Sequence, residues 1–191
     1  MSKIRKRRTV SILLIAGIAL LVAAAAVYCL YIWNGYKAGD HAEKVMEKMQ
    51  EIIPQFDEND EAATGLGEDP LPMISIDGVS FVGYLDIPSQ NLKLPVVGAE
   101  SNGREFAFLD SGSPVKGHFW IGGRDVDGIF GSLSKIKPGE TIRFIDVNGV
   151  RYSYLVTGMG SIKSRAEAKH DLVLYRGLSR NISMAVFGTM Q

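Results

Sequence analysis

Gly117-His118-Phe119-Trp120-Ile121-Gly122-Gly123-Arg124-Asp125-Val126-Asp127-Gly128-Ile129-Phe130-Gly131-Ser132-Leu133 is the stretch on which the reading of this chain turns. A short apolar run, Phe119–Ile121, enters a glycine pair. A charged turn follows, and then a second apolar pair, Ile129-Phe130. The pattern predicts a strand that runs into a tight, irregular turn where the backbone needs glycine. Strand ends and the loops beyond them are where a rigid scaffold presents reactive side chains. Arg124, at the end of this one, is therefore the first residue to question.

Working outward, short strands with turn signals recur on both sides. Asp77-Gly78 predicts a hairpin between Met73–Ile76 and Val79–Leu85, and Pro88 ends the second strand. Leu94–Val97 reads as a strand, and Phe106–Leu109 as a helical turn or a short strand. Phe130–Leu133 reads as a helical turn. Thr141–Val147 and Val150–Val156 alternate around Asn148-Gly149, a signal for a type I′ hairpin. Ser164–Lys169 can form a short helix, and Leu172–Tyr175 and Ile182–Phe187 read as the last strands. This composition predicts a mainly β domain at 73–191, a barrel or sandwich.

The N-terminal part has a different character. Residues 1–8 form a basic tail with Lys3, Arg5, Lys6, Arg7 and Arg8. Thr9–Trp33 carries no charge and exceeds the roughly 20 apolar residues a helix needs to cross a bilayer core. Tyr28, Tyr31 and Trp33 gather at its far end, where aromatic residues suit the membrane interface. The basic flank predicts a cytoplasmic N-terminus and an extracellular C-terminal domain, in a single-pass protein of the cell membrane. A cleaved leader would have a shorter apolar core and a small-residue cleavage site. Residues 34–72 read as a stalk and an acidic linker. Val45, Met49, Ile52 and Ile53 fall at near-helical spacing in it, and Asp57, Glu58, Asp60, Glu61, Glu68 and Asp69 follow without a basic residue.

Basic and acidic residues balance at 21 each, which argues against nucleic-acid binding. The single cysteine, Cys29, excludes an intrachain disulfide and a cysteine zinc site. It falls in the apolar run, as a small hydrophobe rather than a nucleophile. No metal or cofactor is expected.

Several segments resemble the sortases, membrane-anchored cysteine transpeptidases of Gram-positive bacteria. They are Gly83–Pro88, Leu92–Val97, Ser111–Pro114 as the turn before the histidine strand, Phe130–Leu133, Lys137–Glu140, Asp146–Gly149 and Asp171–Tyr175. The class B and D-like groups are the most similar. The resemblance implies a closed eight-stranded β-barrel with short helices. It also implies a catalytic histidine, cysteine and arginine: a thiolate near a base, with a positive charge at the developing oxyanion.

At all three positions this chain differs. Arg124 stands at the histidine position, Gly177 at the cysteine position and Ser183 at the arginine position, with Arg180 three residues earlier. Without a cysteine in the C-terminal domain, cysteine catalysis there is excluded. Ser179 and Ser183 are the alternative nucleophiles, with His118 or His170 as base. His118 lies an even offset from Arg124, on the same strand face. No Gly-x-Ser-x-Gly elbow supports them. Arg124, Arg176 and Arg180, with His118, are the candidate groove-binding residues. The guanidinium groups would grip a carboxylate or peptide backbone, or else pair with Asp125 and Asp127 across the turn.

The expectation is a catalytically inactive, membrane-anchored sortase-like protein. It would bind a sorting-signal peptide, a pilin subunit or another sortase. The alternative is a transpeptidase or hydrolase of surface proteins with a rewired nucleophile.

Overall fold

The computed structural model describes residues 2–54, 67–101, 105–126, 128–162, 170–176 and 182–191, with the side chains at 2–15, 31–39 and 182–183 excepted. The expected helix at 164–169 lies outside these residues, as do Gly177, Ser179, Arg180 and Asp127. The chain divides into two units, Met1–Lys37 and Ala38–Gln191.

The first unit is helical, part of a helix α1 that runs Ser2–Ile52. Its described side chains, residues 16–30, are all exposed, Leu20, Leu21 and Val27 among them. Among the described residues no helix is long and apolar enough to cross a membrane. The expected span at 9–33 includes residues whose side chains are not described.

The second unit is mainly β. Its strands are β1 (Ile74–Ile76), β2 (Val79–Ile87), β3 (Leu92–Val97), β4 (Ala107–Ser113), β5 (Gly117–Gly123), β6 (Thr141–Asp146), β7 (Arg151–Ile162), β8 (Leu172–Arg176) and β9 (Ile182–Met190). They form one sheet in the order β1-β2-β3-β4-β5-β8-β9-β7-β6, and β2 also pairs with β6. That last pairing closes β2 to β9 into an eight-stranded barrel, with β1 as an added hairpin arm. Closure removes the free edges that would otherwise invite strand addition.

The period-two alternation of each strand sends one set of side chains inward. Leu85, Ile87, Leu94, Val96, Phe119, Ile121, Ile142, Phe144, Tyr154, Leu172 and Leu174 belong to the interior cluster. Phe119 and Phe144 meet edge-on at 4.8 Å. Outside, the last turns of α1 lie on the wall. Ala42, Val45, Met46, Met49 and Ile53 form a stripe at helical spacing and bury against Ile76, Phe81, Tyr84, Val97, Phe106 and Ile145. Ile52, expected on that stripe, is exposed, because Ile53 follows Met49 by a full turn and takes the place.

The turns show which sequence signals were sufficient. Asp77 and Gly78 both have positive φ, 52° and 80°, as a type I′ hairpin requires. Asn148-Gly149 does close the β6–β7 hairpin, but not as type I′: only Gly149 is left-handed, at 86°. Asp146 is the reason. Its Oδ1 accepts from the N–H of Asn148 and of Val150, and its carbonyl accepts from Gly149 N–H. These bonds hold 146–149 as a type I turn followed by a glycine bulge. The expected turn at Ser111–Pro114 is also displaced. β4 continues through a bulge to Ser113, and the reversal occupies Pro114–Lys116, where Ser113 Oγ accepts from Lys116 N–H. Phe130–Leu133 is a turn that leads into a short 3-10 segment, Leu133–Lys135.

Candidate functional site

The site is set by register. β5 and β8 run parallel with Gly123 beside Arg176, and β9 runs antiparallel with Met184 beside Arg176. The backbone therefore brings Gly123, Arg176 and Met184 side by side at one end of the barrel. Arg124 follows the first of these, and Ser183 precedes the last. The side chain of Ser183 is not described, and Gly177 and Arg180 lie outside the described residues.

Alternation along β8 places Arg176. Leu172 and Leu174 face the interior and Val173 and Tyr175 the outer cluster, so Arg176 is on the interior side of β8. Its Nη1 donates to Asp125 Oδ1 at 2.5 Å and to the Gly131 carbonyl at 3.3 Å. It thus ties down the 124–132 loop, whose Val126, Ile129 and Phe130 complete the barrel interior. The pair is worth about 1 kcal/mol or less, because Asp125 is more than half exposed. Arg176 pairs with Asp125 across the turn. Arg124 is exposed, one residue beyond the end of β5.

Beside Arg124 the outer face is aromatic, which the sequence reading missed. Gly122 has the Phe108 and Tyr175 rings directly over it: a Cβ there would lie 2.4 Å from one and 2.8 Å from the other. Tyr175 meets Phe108 and Trp120 edge-on at 6.3 and 6.0 Å. Phe108 and Tyr175 are half-buried. The result is an aromatic shelf of Phe108, Trp120 and Tyr175 near the end of β5. The usable signal was the alternation of Trp120 and Gly122 along β5 and of Val173 and Tyr175 along β8.

The histidines do not join it. His118 is exposed at the opposite end of β5, with a φ of 52°. Six residues of strand amount to about 20 Å, so sharing a face with Arg124 does not bring it within reach as a base. His170 precedes β8 and stacks on Phe187 at 4.4 Å. Among the described residues no three His, Cys, Asp or Glu side chains are grouped to hold a metal.

No family model and no curated protein matches this chain. Solved structures do. Sortase C1 of Streptococcus agalactiae is similar at 22% identity and a TM-score of 0.49, over 61% of this chain and 70% of that one. Sortase C of Streptococcus pneumoniae is similar at 19% identity and 0.48, over 58% and 68%. Sortase A of Listeria monocytogenes is similar at 21% identity and 0.46, over 58% of this chain and 87% of that one.

Proposed function

We propose that this chain is a membrane-anchored, extracellular sortase-like protein that binds an extended peptide and does not cut it. Its ligand class is the sorting-signal peptide, as a free substrate, on a pilin subunit or held by an active sortase. The observation that carries the proposal is the register of β5, β8 and β9. It brings Gly123, Arg176 and Met184 side by side at one barrel end, which supports reading that end as the counterpart of the resembling family's catalytic end, with Arg124 in place of histidine and no cysteine outside α1. An aromatic shelf near the end of β5, with Arg124 exposed just past that end, suits a peptide: the rings would cover apolar side chains, and Arg124 would hold a carbonyl or carboxylate. Without a thiolate or an aligned base, attack on an amide has no driving group.

The test uses the full-length chain in detergent, titrated with sorting-signal peptides. Binding is expected, and Arg124→Ala should weaken it roughly 10- to 100-fold, the value of one charge-assisted hydrogen bond. No cleavage or transfer to an amine acceptor should be seen. Turnover that disappears in Ser179→Ala or Ser183→Ala would instead establish the rewired enzyme.

The anchor rests on the charge-free run at 9–33 and on the exposed apolar side chains of its described part. Alkaline carbonate extraction should leave the full chain in the membrane pellet, and deletion of residues 2–33 should release it. Release of the intact chain would remove the anchor from the proposal.

A further inference from the structure

The barrel interior contains a row of polar atoms that peptide binding does not use. Asp146, at the end of β6, is fully buried. Its Oδ1 is satisfied by the turn, but its Oδ2 is buried without a hydrogen-bond partner among the described residues. The hydroxyls of Tyr152 and Tyr154, on the neighbouring strand β7, are buried in the same condition. An ionised carboxylate with one bare oxygen is among the costliest groups to bury; a neutral carboxyl is far cheaper.

A strap crosses this row. Gly67 lies against the Tyr152 hydroxyl so closely that a Cβ there would fall 1.3 Å from it. Leu71, four residues on, is buried in the interior cluster. Between them Asp69 pairs with Lys116. Glu68 brings a second negative charge toward Asp146.

We propose that Asp146 is carried as a neutral acid beneath the Gly67–Leu71 strap, and that its ionisation unseats the strap: a pH-operated latch on the barrel. The proton goes to bulk water. The carboxylate left behind, short of donors and beside Glu68, is relieved when the strap lifts and water reaches it.

The surroundings agree in sign. Burial raises the Asp146 carboxyl above its ordinary value of 3.8, and Glu68 adds to the rise, against the N–H groups of Val150, Asn148 and Gly149. On β2 its register partner is Gly83. Burial pushes Tyr152 up to about 12 and raises Tyr154 as well, so both phenols stay neutral. A group raised in the seated form holds its proton more tightly there. Seating is therefore complete below the ordinary carboxyl value and weakens as pH climbs through the higher one. Asp69, held low by its hydrogen bond to Lys116, acts in the opposite sense. It favours seating at higher pH and loses that contribution on acidification, so the direction of the response separates the two acids.

Hydrogen–deuterium exchange of the Glu68, Asp69 and Leu71 amides in the full-length chain, corrected for intrinsic rates and followed from about pH 4, near the ordinary carboxyl value, up to about pH 8, tests this. Protection should fall as pH rises, by at most about tenfold per unit for one proton. Asp146→Asn should flatten the profile, and Glu68→Gln should reduce its amplitude. A flat wild-type profile, protection that grows with pH, or an unchanged slope in either variant would overturn the latch. If Asp146→Asn does not fold, Glu68→Gln decides alone.

Discussion

Gly83→Ala is expected to lower the thermal midpoint of the barrel by roughly 10 °C. Gly83 is the residue of β2 that pairs at once with Val96 of β3 and Asp146 of β6, across the seam that closes the barrel. A Cβ there would sit 2.0 Å from the Ile145 carbonyl oxygen and 2.8 Å from the Asp146 Cα. Both are backbone, so no rotamer change relieves the overlap. The φ of 149° adds strain for any L side chain. The substitution must part β2 from β6, at a cost of about 3 kcal/mol or more. In a chain of this size each kcal/mol moves the midpoint by about 2–4 °C. Gly139→Ala is the control. Its φ is 90°, but nothing lies within 4 Å of the added methyl, so it should lose only about 1–2 kcal/mol of backbone strain. Equal losses in calorimetry would show that the seam is not where closure is decided.

Phe119→Ala should cost about 3–5 kcal/mol in urea unfolding, the range for truncating a fully buried phenylalanine. Phe119 is wholly buried on the inner face of β5 and meets Phe144 edge-on across the barrel interior. It follows His118 on the strand that also leads to Arg124, so its anchoring fixes that strand's height. Phe187→Ala, on the half-buried outer face, should cost clearly less, because its ring is covered on one side by His170 and the site can relax. A loss below about 1 kcal/mol for Phe119→Ala would contradict a close-packed interior.

Strand positions were legible because the cue is local. Phe119–Ile121, Thr141–Asp146 and Leu172–Tyr175 each carry apolar or alternating runs bounded by turn residues. The extension of β7 to Ile162 was not legible: Gly158, Gly160 and Ser161 lack strand character, and pairing with β9 holds the stretch extended. Propensity yields there to the ladder. Turn chemistry was half legible. Asp77-Gly78 contains its own instructions. Asn148-Gly149 was overruled by the Asp146 side chain, which is buried only once the barrel has closed over it.

For the candidate site, residue identity was legible in the sequence but side-chain partners were not. Arg124 and Arg176 looked like a convergent pair. Only the register shows Arg176 opposite Gly123 with its alternation fixed by Leu172 and Leu174, which turns it inward to Asp125 and Gly131. His118 looked usable because even spacing preserves a face, but spacing along a strand is also distance. The aromatic shelf needed three strands brought together, Phe108 from β4, Trp120 from β5 and Tyr175 from β8, and no local pattern reports that.

What the sequence determined alone was chemical and local: the charge-free run at 9–33, one cysteine and that in α1, the strand periods, and an arginine just past the glycine pair that ends β5. These follow from residue identity and from the period of the backbone. What the tertiary structure decided was which distant residues share an environment: the β2–β6 closure at Gly83, the burial of Asp146, the approach of Gly67 to the Tyr152 hydroxyl, and the pairing of Arg176 with Asp125. The physical reason is that burial, register and pairing are properties of non-local contacts, and the free energy that chooses among them appears only when the sheet has closed on itself.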